Sequence, residues 1–409
     1  MIRRDFMKSA IVLGSASGSS LSLRASPSFF PKKSREKKYR AGVVGLGWMG
    51  MLYDMGKRDY ENIRGSYKEP KYDLESSRRP TPDWLDIHRK FYHHEHPGKE
   101  GLVATYAEAL GDRPEVDLVA GADRDKNRLA MFGERYGITA LYTDALEMYH
   151  KEKLDIVAIA TNTKGRSFLT VKAVEAQVKG ILTDKPMTFT LKEADDMVKA
   201  CADADVPLVG GATTTSHPSF GKAKELIRNG IIGELISIEA RLPSSQHQNW
   251  SYFVDSDLAW VSGIGDKSRR ERGSTEFIGQ GIIVAKDGTV VHIRNGAPSF
   301  RASGHKGEIS FDGKQWRLWQ NINSPSGSQG RVEMPWPDPK FGTMRTVWCL
   351  DDLIASMEGR MDEPKNSGRR VAMALEAELG MKQSSAQGGK QIKLPLKDRS
   401  LGLTYDWFR

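Results

Sequence analysis

The sequence predicts an α/β protein with an N-terminal doubly wound parallel sheet and a C-terminal α/β domain built on a large, mainly antiparallel sheet. Three observations carry this. A glycine-rich turn follows the first apolar run; apolar runs alternate with helical spacings from residue 116 to 210; and from residue 277 the pattern turns to strands joined by tight turns. The 409 residues exceed what one hydrophobic core ordinarily serves and suit two domains.

The chain begins with a basic segment. Net charge is +9, but residues 1–40 hold ten basic residues against Asp5 and Glu36, so eight of the nine charges sit there and the body is close to neutral. A nucleic-acid-binding protein needs a basic face on its folded part, and that class is set aside. Arg3-Arg4-Asp5-Phe6-Met7-Lys8 precede a short apolar stretch over 9–23, the arrangement of a secretory signal. The motif resembles the twin-arginine (Tat) export consensus. Residues 1–25 are expected to be the signal and 26–39 a basic linker, with export to the periplasm or another extracytoplasmic space. No apolar run approaches the roughly 20 residues of a membrane span. Cys201 and Cys349 are the only cysteines, which excludes a disulfide scaffold.

The first strand is the buried run Ala41–Val44, and Gly45, Gly47 and Gly50 then fit G-x-G-x-x-G. Glycines at this spacing allow a tight turn, backbone approach to a pyrophosphate and close helix–strand packing, and the following helix offers its first amides to the phosphates. Gly45, Gly47, Trp48, Met49 and Gly50 are therefore candidate cofactor residues. The acidic residue expected to hold the ribose is Asp123, at the end of a second strand Val116–Ala122, 78 residues past Gly45. The polar stretch of about 53–100 between them reads as an insertion. Its His88, His93, His94 and His96 lack metalloenzyme spacing, and no metal is expected. Asp123 favours NAD over NADP, while Arg124 beside it leaves NADP open.

Helices Lys126–Tyr136 and Thr143–Lys151, strand Leu154–Ala160, helix Ser167–Gln177, strand Gly180–Thr183, helix Leu191–Ala204 and strand Pro207–Gly210 continue the alternation. This is a Rossmann-type dinucleotide-binding domain over 40–213. Helix Phe220–Asn229 opens the second domain, 214–395. Strands Phe277–Val284, Thr289–Arg294, Ser299–Ala302, Gly307–Phe311, Gln315–Trp319 and Arg331–Met334 follow, with hairpin turns at Asp287-Gly288 and Asp312-Gly313. Helices Met344–Gly359 and Ser367–Ser384 close the domain. Residues 396–409 form an aromatic tail expected to fold back onto the body.

The ordered segments GVVGLGWMG, GADRDKNRLAMFGERYG, YTDALEMYHKEKLDIVAIAT, TDKPMT and GELISIEARL, with ALEAELGMKQSSAQGGKQIKLPL near the end, resemble the Gfo/Idh/MocA oxidoreductase family. The resemblance implies a Rossmann domain followed by a domain whose sheet walls a sugar or polyol site and whose outer face makes homo-oligomers. The family's Glu-Lys-Pro falls on Asp184-Lys185-Pro186, with the shorter aspartate in place of glutamate. Lys185 is the expected proton carrier between substrate hydroxyl and nicotinamide. The family's Thr-Pro-Asn-x-x-His reads Thr161-Asn162-Thr163-Lys164-Gly165-Arg166, so Thr161 and Asn162 are candidate cofactor contacts and Arg166 a substrate contact. The family's D-x-x-x-H segment is absent in recognisable form. Ser244-Ser245-Gln246-His247-Gln248-Asn249-Trp250-Ser251-Tyr252 stands where the family has a helix-forming motif and offers amides, an imidazole and aromatic faces, the groups that sugar recognition uses. His247 and Tyr252 are the relay candidates; Gln246, Gln248, Trp250 and the earlier His217 are candidate substrate contacts. The expected activity is hydride transfer between a carbohydrate-like hydroxyl and a tightly held NAD. A glycoside hydrolase or lyase working by transient oxidation, and a non-catalytic sugar binder, are the alternatives.

Overall fold

The computed structural model describes residues 38–52, 103–211, 213–242, 249–267, 276–323, 327, 329–337 and 345–403. The export motif, the 53–100 insertion with its histidines, the Gln246–Gln248 stretch and the last six residues lie outside the described residues.

The first sheet is parallel, six strands wide, in the order β3-β2-β1-β4-β5-β6. Its strands are β1 (Tyr39–Val44), β2 (Val116–Ala122), β3 (Ala140–Tyr142), β4 (Ile156–Ile159), β5 (Gly180–Thr183) and β6 (Leu208–Val209). Helices cover both faces, which is why the central strands are apolar throughout rather than alternating. On one face Ala41, Val43, Ile156, Ala158 and Leu182 pack under α1 (Tyr106–Asp112) and a late helix, α7 (Arg345–Met357). On the other, Val44, Val157, Ile159 and Ile181 meet α3 (Ala145–Glu152), α4 (Arg166–Glu175) and α5 (Leu191–Asp203). Between β2 and β3 runs α2 (Lys126–Tyr136), started by the Asp125 carboxylate on the amides of Asn127 and Arg128 and stopped by left-handed Gly137.

The second sheet has nine strands in the order β14-β13-β12-β11-β7-β10-β9-β8-β15. In chain order these are β7 (Leu235–Ala240), β8 (Leu258–Ile264), β9 (Gln280–Ala285), β10 (Val290–Ile293), β11 (Phe300–Gly304), β12 (Gly307–Phe311), β13 (Trp316–Asn323), β14 (Gln329–Met334) and β15 (Ile392–Lys393). β7 and β10 run parallel, while the other described pairs are antiparallel. The inner face packs on α6 (Pro218–Arg228) and α8 (Gly368–Ala386) through an aromatic core. Phe253 stacks on Phe300 at 4.0 Å and Phe220 meets Trp316 edge-on at 4.8 Å. On the outer face Glu239, Arg301, Glu308 and Arg331 form a cross-strand run of ion pairs over β7, β11, β12 and β14, while Trp260, Ile282, Val284 and Val290 make its β8–β10 part apolar.

β3, β8 and β15 escaped the sequence. β3 is three half-buried residues and β15 two, both too short for periodicity, and β8 mixes Trp, Ser and Gly so that its alternation is faint. The described part of the tail does turn back: the Leu191 and Lys192 amides donate to the carbonyls of Leu401 and Arg399, and Arg399 pairs with Asp195. No helix among the described residues is long and apolar enough to cross a membrane.

Candidate nucleotide and substrate site

The carboxyl ends of β1, β2, β4 and β5 lie on one edge of the sheet, and the three glycines after β1 stand in three different environments. Gly45 has φ +85°, and a Cβ there would lie 2.8 Å from the Thr161 amide nitrogen at the end of β4. Gly50 sits against the turn itself, since its Cβ would fall 1.9 Å from the Gly45 carbonyl oxygen. Gly47 is needed by neither: among the described residues a Cβ there would meet only Arg128 Nη1, at an ordinary 3.5 Å, and its backbone is not left-handed. The fold closes the turn with Gly45 and Gly50 and, among the described residues, leaves no backbone or bulky side chain against Gly47, as close backbone approach to a diphosphate demands. Trp48 and Met49, half-buried, start the short helical turn Trp48–Leu52 that carries the first amides.

Asp123 stands at the end of β2 beside this turn. One carboxylate oxygen accepts the Leu46 amide at 2.7 Å and the other the Asp125 amide at 2.9 Å, so the ribose-holding candidate also fixes the glycine turn. Arg124 is exposed at the rim. Arg128, which the sequence reading passed over, lies 3.7 Å from Asp123 and next to Gly47. Its signal was present: it comes one turn into the helix that Asp125 caps, on the side of the crevice. A negative diphosphate would meet this guanidinium. The donor set therefore fits a dinucleotide: an open glycine, a carboxylate with further acceptor capacity, and a cation.

Lys185 follows β5. Asp184 before it is buried and Pro186 after it joins through a cis peptide. Gly211, at φ +131°, lies against the lysine backbone: its Cβ would come within 2.9 Å of the Lys185 nitrogen. The Gly211 carbonyl in turn accepts Asn366 Nδ2 at 2.5 Å and the Cys349 thiol at 3.6 Å, tying the loop before α8 and helix α7 to this end of the sheet. Thr161, half-buried, and Asn162, exposed, follow β4 on the same edge. Because β1, β4 and β5 are adjacent and parallel, Lys185 and the glycine turn lie on the same, carboxyl-terminal edge of the sheet.

Other candidates are placed elsewhere. Arg166 is not a substrate contact. It is 1% exposed, its guanidinium donates to the carbonyls of Thr161, Asp184 and Pro186, and burial pulls its pKa down. Trp250 is not a pocket wall either; it is wholly buried in the second-domain core, where a large apolar ring gains most by leaving water. His217 caps α6, its Nδ1 accepting the Ser219 amide at 3.1 Å while its ring meets Trp348 edge-on at 4.4 Å. That bond fixes Nδ1 as an acceptor, so the neutral imidazole carries its proton on Nε2. Tyr252 is approached by two cations that both reach Asp255, with Lys224 Nζ 4.6 Å and the Arg370 guanidinium 5.1 Å from its ring. Burial pushes its phenol up to about 12, so it stays protonated and suits a hydrogen-bond donor rather than a base near neutrality. Gln246, His247 and Gln248 lie outside the described residues. A cavity of about 720 Å³ opens at the opposite, amino-terminal edge of the first sheet, between Lys179, Cys201, Pro207 and Arg369, away from the glycine turn.

With this geometry in place, the comparison with known proteins is direct. Residues 100–211 match the Gfo/Idh/MocA oxidoreductase family, NAD-binding Rossmann fold. The match runs from α1 through the end of β6 and includes Asp123 and Asp184-Lys185-Pro186. Among curated relatives, D-apiose dehydrogenase of Paraburkholderia graminis is 37% identical over 125 residues, 31% of this chain and 33% of that protein. Myo-inositol 2-dehydrogenase of Thermotoga maritima is 29% identical over 149 residues, 36% of this chain and 44% of that protein. The chain thus spans a third to less than half of the length of these relatives. Over the two sheets together, an oxidoreductase from Agrobacterium radiobacter, solved with NAD+, L-tartaric acid and magnesium, superposes with a TM-score of 0.57 at 15% identity, covering 87% of this chain and 98% of that one. The Rossmann-like sheet followed by a mostly antiparallel second sheet is the fold of that oxidoreductase.

Proposed function

We propose that this chain is an NAD(P)-dependent oxidoreductase of the Gfo/Idh/MocA type that transfers hydride between a hydroxyl-bearing carbon of a sugar- or polyol-like substrate and the nicotinamide. One observation supports the reading: a glycine turn flanked by Asp123 and Arg128 lies on the same carboxyl-terminal sheet edge as Lys185 at the end of β5. The family match over 100–211 and the dehydrogenase relatives support it.

Each residue has a defined task. Gly47 admits the diphosphate, Arg128 faces its charge, and Asp123 accepts the ribose hydroxyls, favouring NAD because a 2′-phosphate would meet a carboxylate. The nicotinamide, when bound, supplies the hydride acceptor. The Lys185 amine hydrogen-bonds the substrate hydroxyl and takes its proton as the C–H hydride leaves, or returns it in reduction. Thr161 and Asn162 line the edge beside it. Calorimetric titration with NAD+ and NADP+, followed by NADH formation over a panel holding D-apiose, myo-inositol and D-xylose, tests the reading. NAD+ binding and loss of turnover in Lys185→Met are expected. A chain that binds neither dinucleotide, or a Lys185→Met variant as active as the parent, overturns it.

Export is the second part of the reading. Arg3-Arg4-Asp5-Phe6-Met7-Lys8 ahead of a short apolar stretch supports passage by the twin-arginine route, which carries folded proteins and so delivers the cofactor already bound. Cell fractionation should find the chain extracytoplasmic and its Arg3→Lys/Arg4→Lys variant retained; equal export of both contradicts it.

A further inference from the structure

Lys185 is bracketed by two carbonyls held by a single side chain. Arg166 opens α4, and its Nη1 donates to the carbonyl oxygens of Asp184 and Pro186, the residues on either side of the lysine. Its Nη2 donates to Thr161 O at the end of β4 and lies 4.0 Å from the Asp184 carboxylate. From α1, Tyr106 Oη donates to Thr183 O at 2.8 Å, one residue further back. The peptide groups around Lys185 are thus gripped from two helices, and two strand ends are joined through one cation.

Stability gives no reason for that cation. A guanidinium wholly out of water is tolerated only where its donors are paired, and a well-packed apolar side chain in such a place is often no less stable. What an apolar residue cannot do is hold three carbonyls in fixed relation. A lysine cannot do so equally well, because its donors radiate from a single nitrogen whereas the planar fork reaches β4 and β5 at once. Nε has no partner among the described residues, so the side chain sits there with one donor unspent.

We propose that Arg166 is a positioning residue for Lys185, acting through the Asp184 and Pro186 carbonyls and locking the β5 turn to Thr161 on the cofactor side. The proposal rests on the reading of Lys185 as proton carrier, but its test does not need turnover. The full chain is labelled by limiting acetic anhydride with and without saturating NAD+, and acetylation of Lys185 is read by mass spectrometry against exposed Lys199 as internal reference. Arg166→Met should change the Lys185/Lys199 ratio by about fivefold or more and alter its dependence on pH, since an unheld turn lets the amine wander. Arg166→Lys, which keeps the charge and part of the donor set, should fall between that variant and the parent. A folded Arg166→Met with the parent's Lys185 labelling overturns the proposal; if that variant does not fold, a parental ratio in Arg166→Lys overturns it. A Lys185→Met variant that keeps its turnover removes the proton role and leaves the labelling result standing, so the two failures are distinguishable.

Discussion

Replacing Gly47 and Gly50 separately by alanine distinguishes a glycine the fold needs from one the ligand needs. At Gly50 the new methyl would lie 1.9 Å from the Gly45 carbonyl oxygen, whereas ordinary contact begins at 3.4 Å. The turn and the helix after it must separate by most of that difference, and overpacking of this kind costs about 1–3 kcal/mol or more. At Gly47, among the described residues, the methyl meets only the far end of Arg128 at 3.5 Å, and the backbone there is open to any L-residue. With no strain in the native state, Gly47→Ala should leave stability unchanged or raise it by about 0.4–1 kcal/mol, through the smaller entropy of the unfolded chain. Yet its methyl projects into the space assigned to the diphosphate, so NAD+ affinity should fall about tenfold or more, equivalent to roughly 1.4 kcal/mol. Differential scanning calorimetry and isothermal titration with NAD+ on the two variants separate the effects. The reasoning is refuted if Gly47→Ala binds NAD+ as the parent does, or if it melts as early as Gly50→Ala.

Three further outcomes follow from the packing. Trp250→Ala should lose about 3–5 kcal/mol of stability in a urea titration, because the ring is wholly buried in the second-domain core; a variant of parental stability with weakened substrate binding would restore Trp250 to the pocket. Lys365 and Asp352 form a buried ion pair, so Lys365→Met should cost about 3–5 kcal/mol while Lys365→Met with Asp352→Leu recovers much of it; a double variant no better than the single contradicts this. Glu363 is pushed up by burial, but hydrogen bonds from Arg369 and Ser367 and the Arg370 charge outweigh this and hold its carboxyl below the usual range. A depressed folded-state value stabilises above the ordinary carboxylate range and is lost as pH falls through the folded value. The melting-temperature advantage of the parent over Glu363→Gln should therefore be constant from neutrality down to about pH 5 and shrink on further acidification, whereas a gap that widens toward acid would reverse the sign.

The framework was legible because its signals are local. β2 over Val116–Ala122 and α2 over Lys126–Tyr136 fall where the apolar runs and the Asp125 cap put them. What escaped depends on convergence. Arg166 reads as a polar contact because a charged residue is rarely buried whole, and only the meeting of three carbonyls from β4 and β5 gives it an interior role. Trp250 sits among polar residues in the sequence, and nothing local says that it is buried in the core rather than facing a sugar. Tyr252 was legible as an aromatic near the site but not as a ring in contact with Lys224 and Arg370, which arrive from different helices. Arg128 would have been found by asking which cation comes one turn after the Asp125 cap.

A crystal structure with NAD+ shows where the dinucleotide lies against the glycine turn and Lys185. The account requires the diphosphate against Gly47 and Arg128, the adenosine ribose on Asp123, and the Lys185 amine so near the reactive nicotinamide carbon that one substrate hydroxyl, about 3 Å from the amine, could sit between them. A dinucleotide seated at the amino-terminal edge of the sheet, or a Lys185 amine turned away from the ring into solvent, would contradict it.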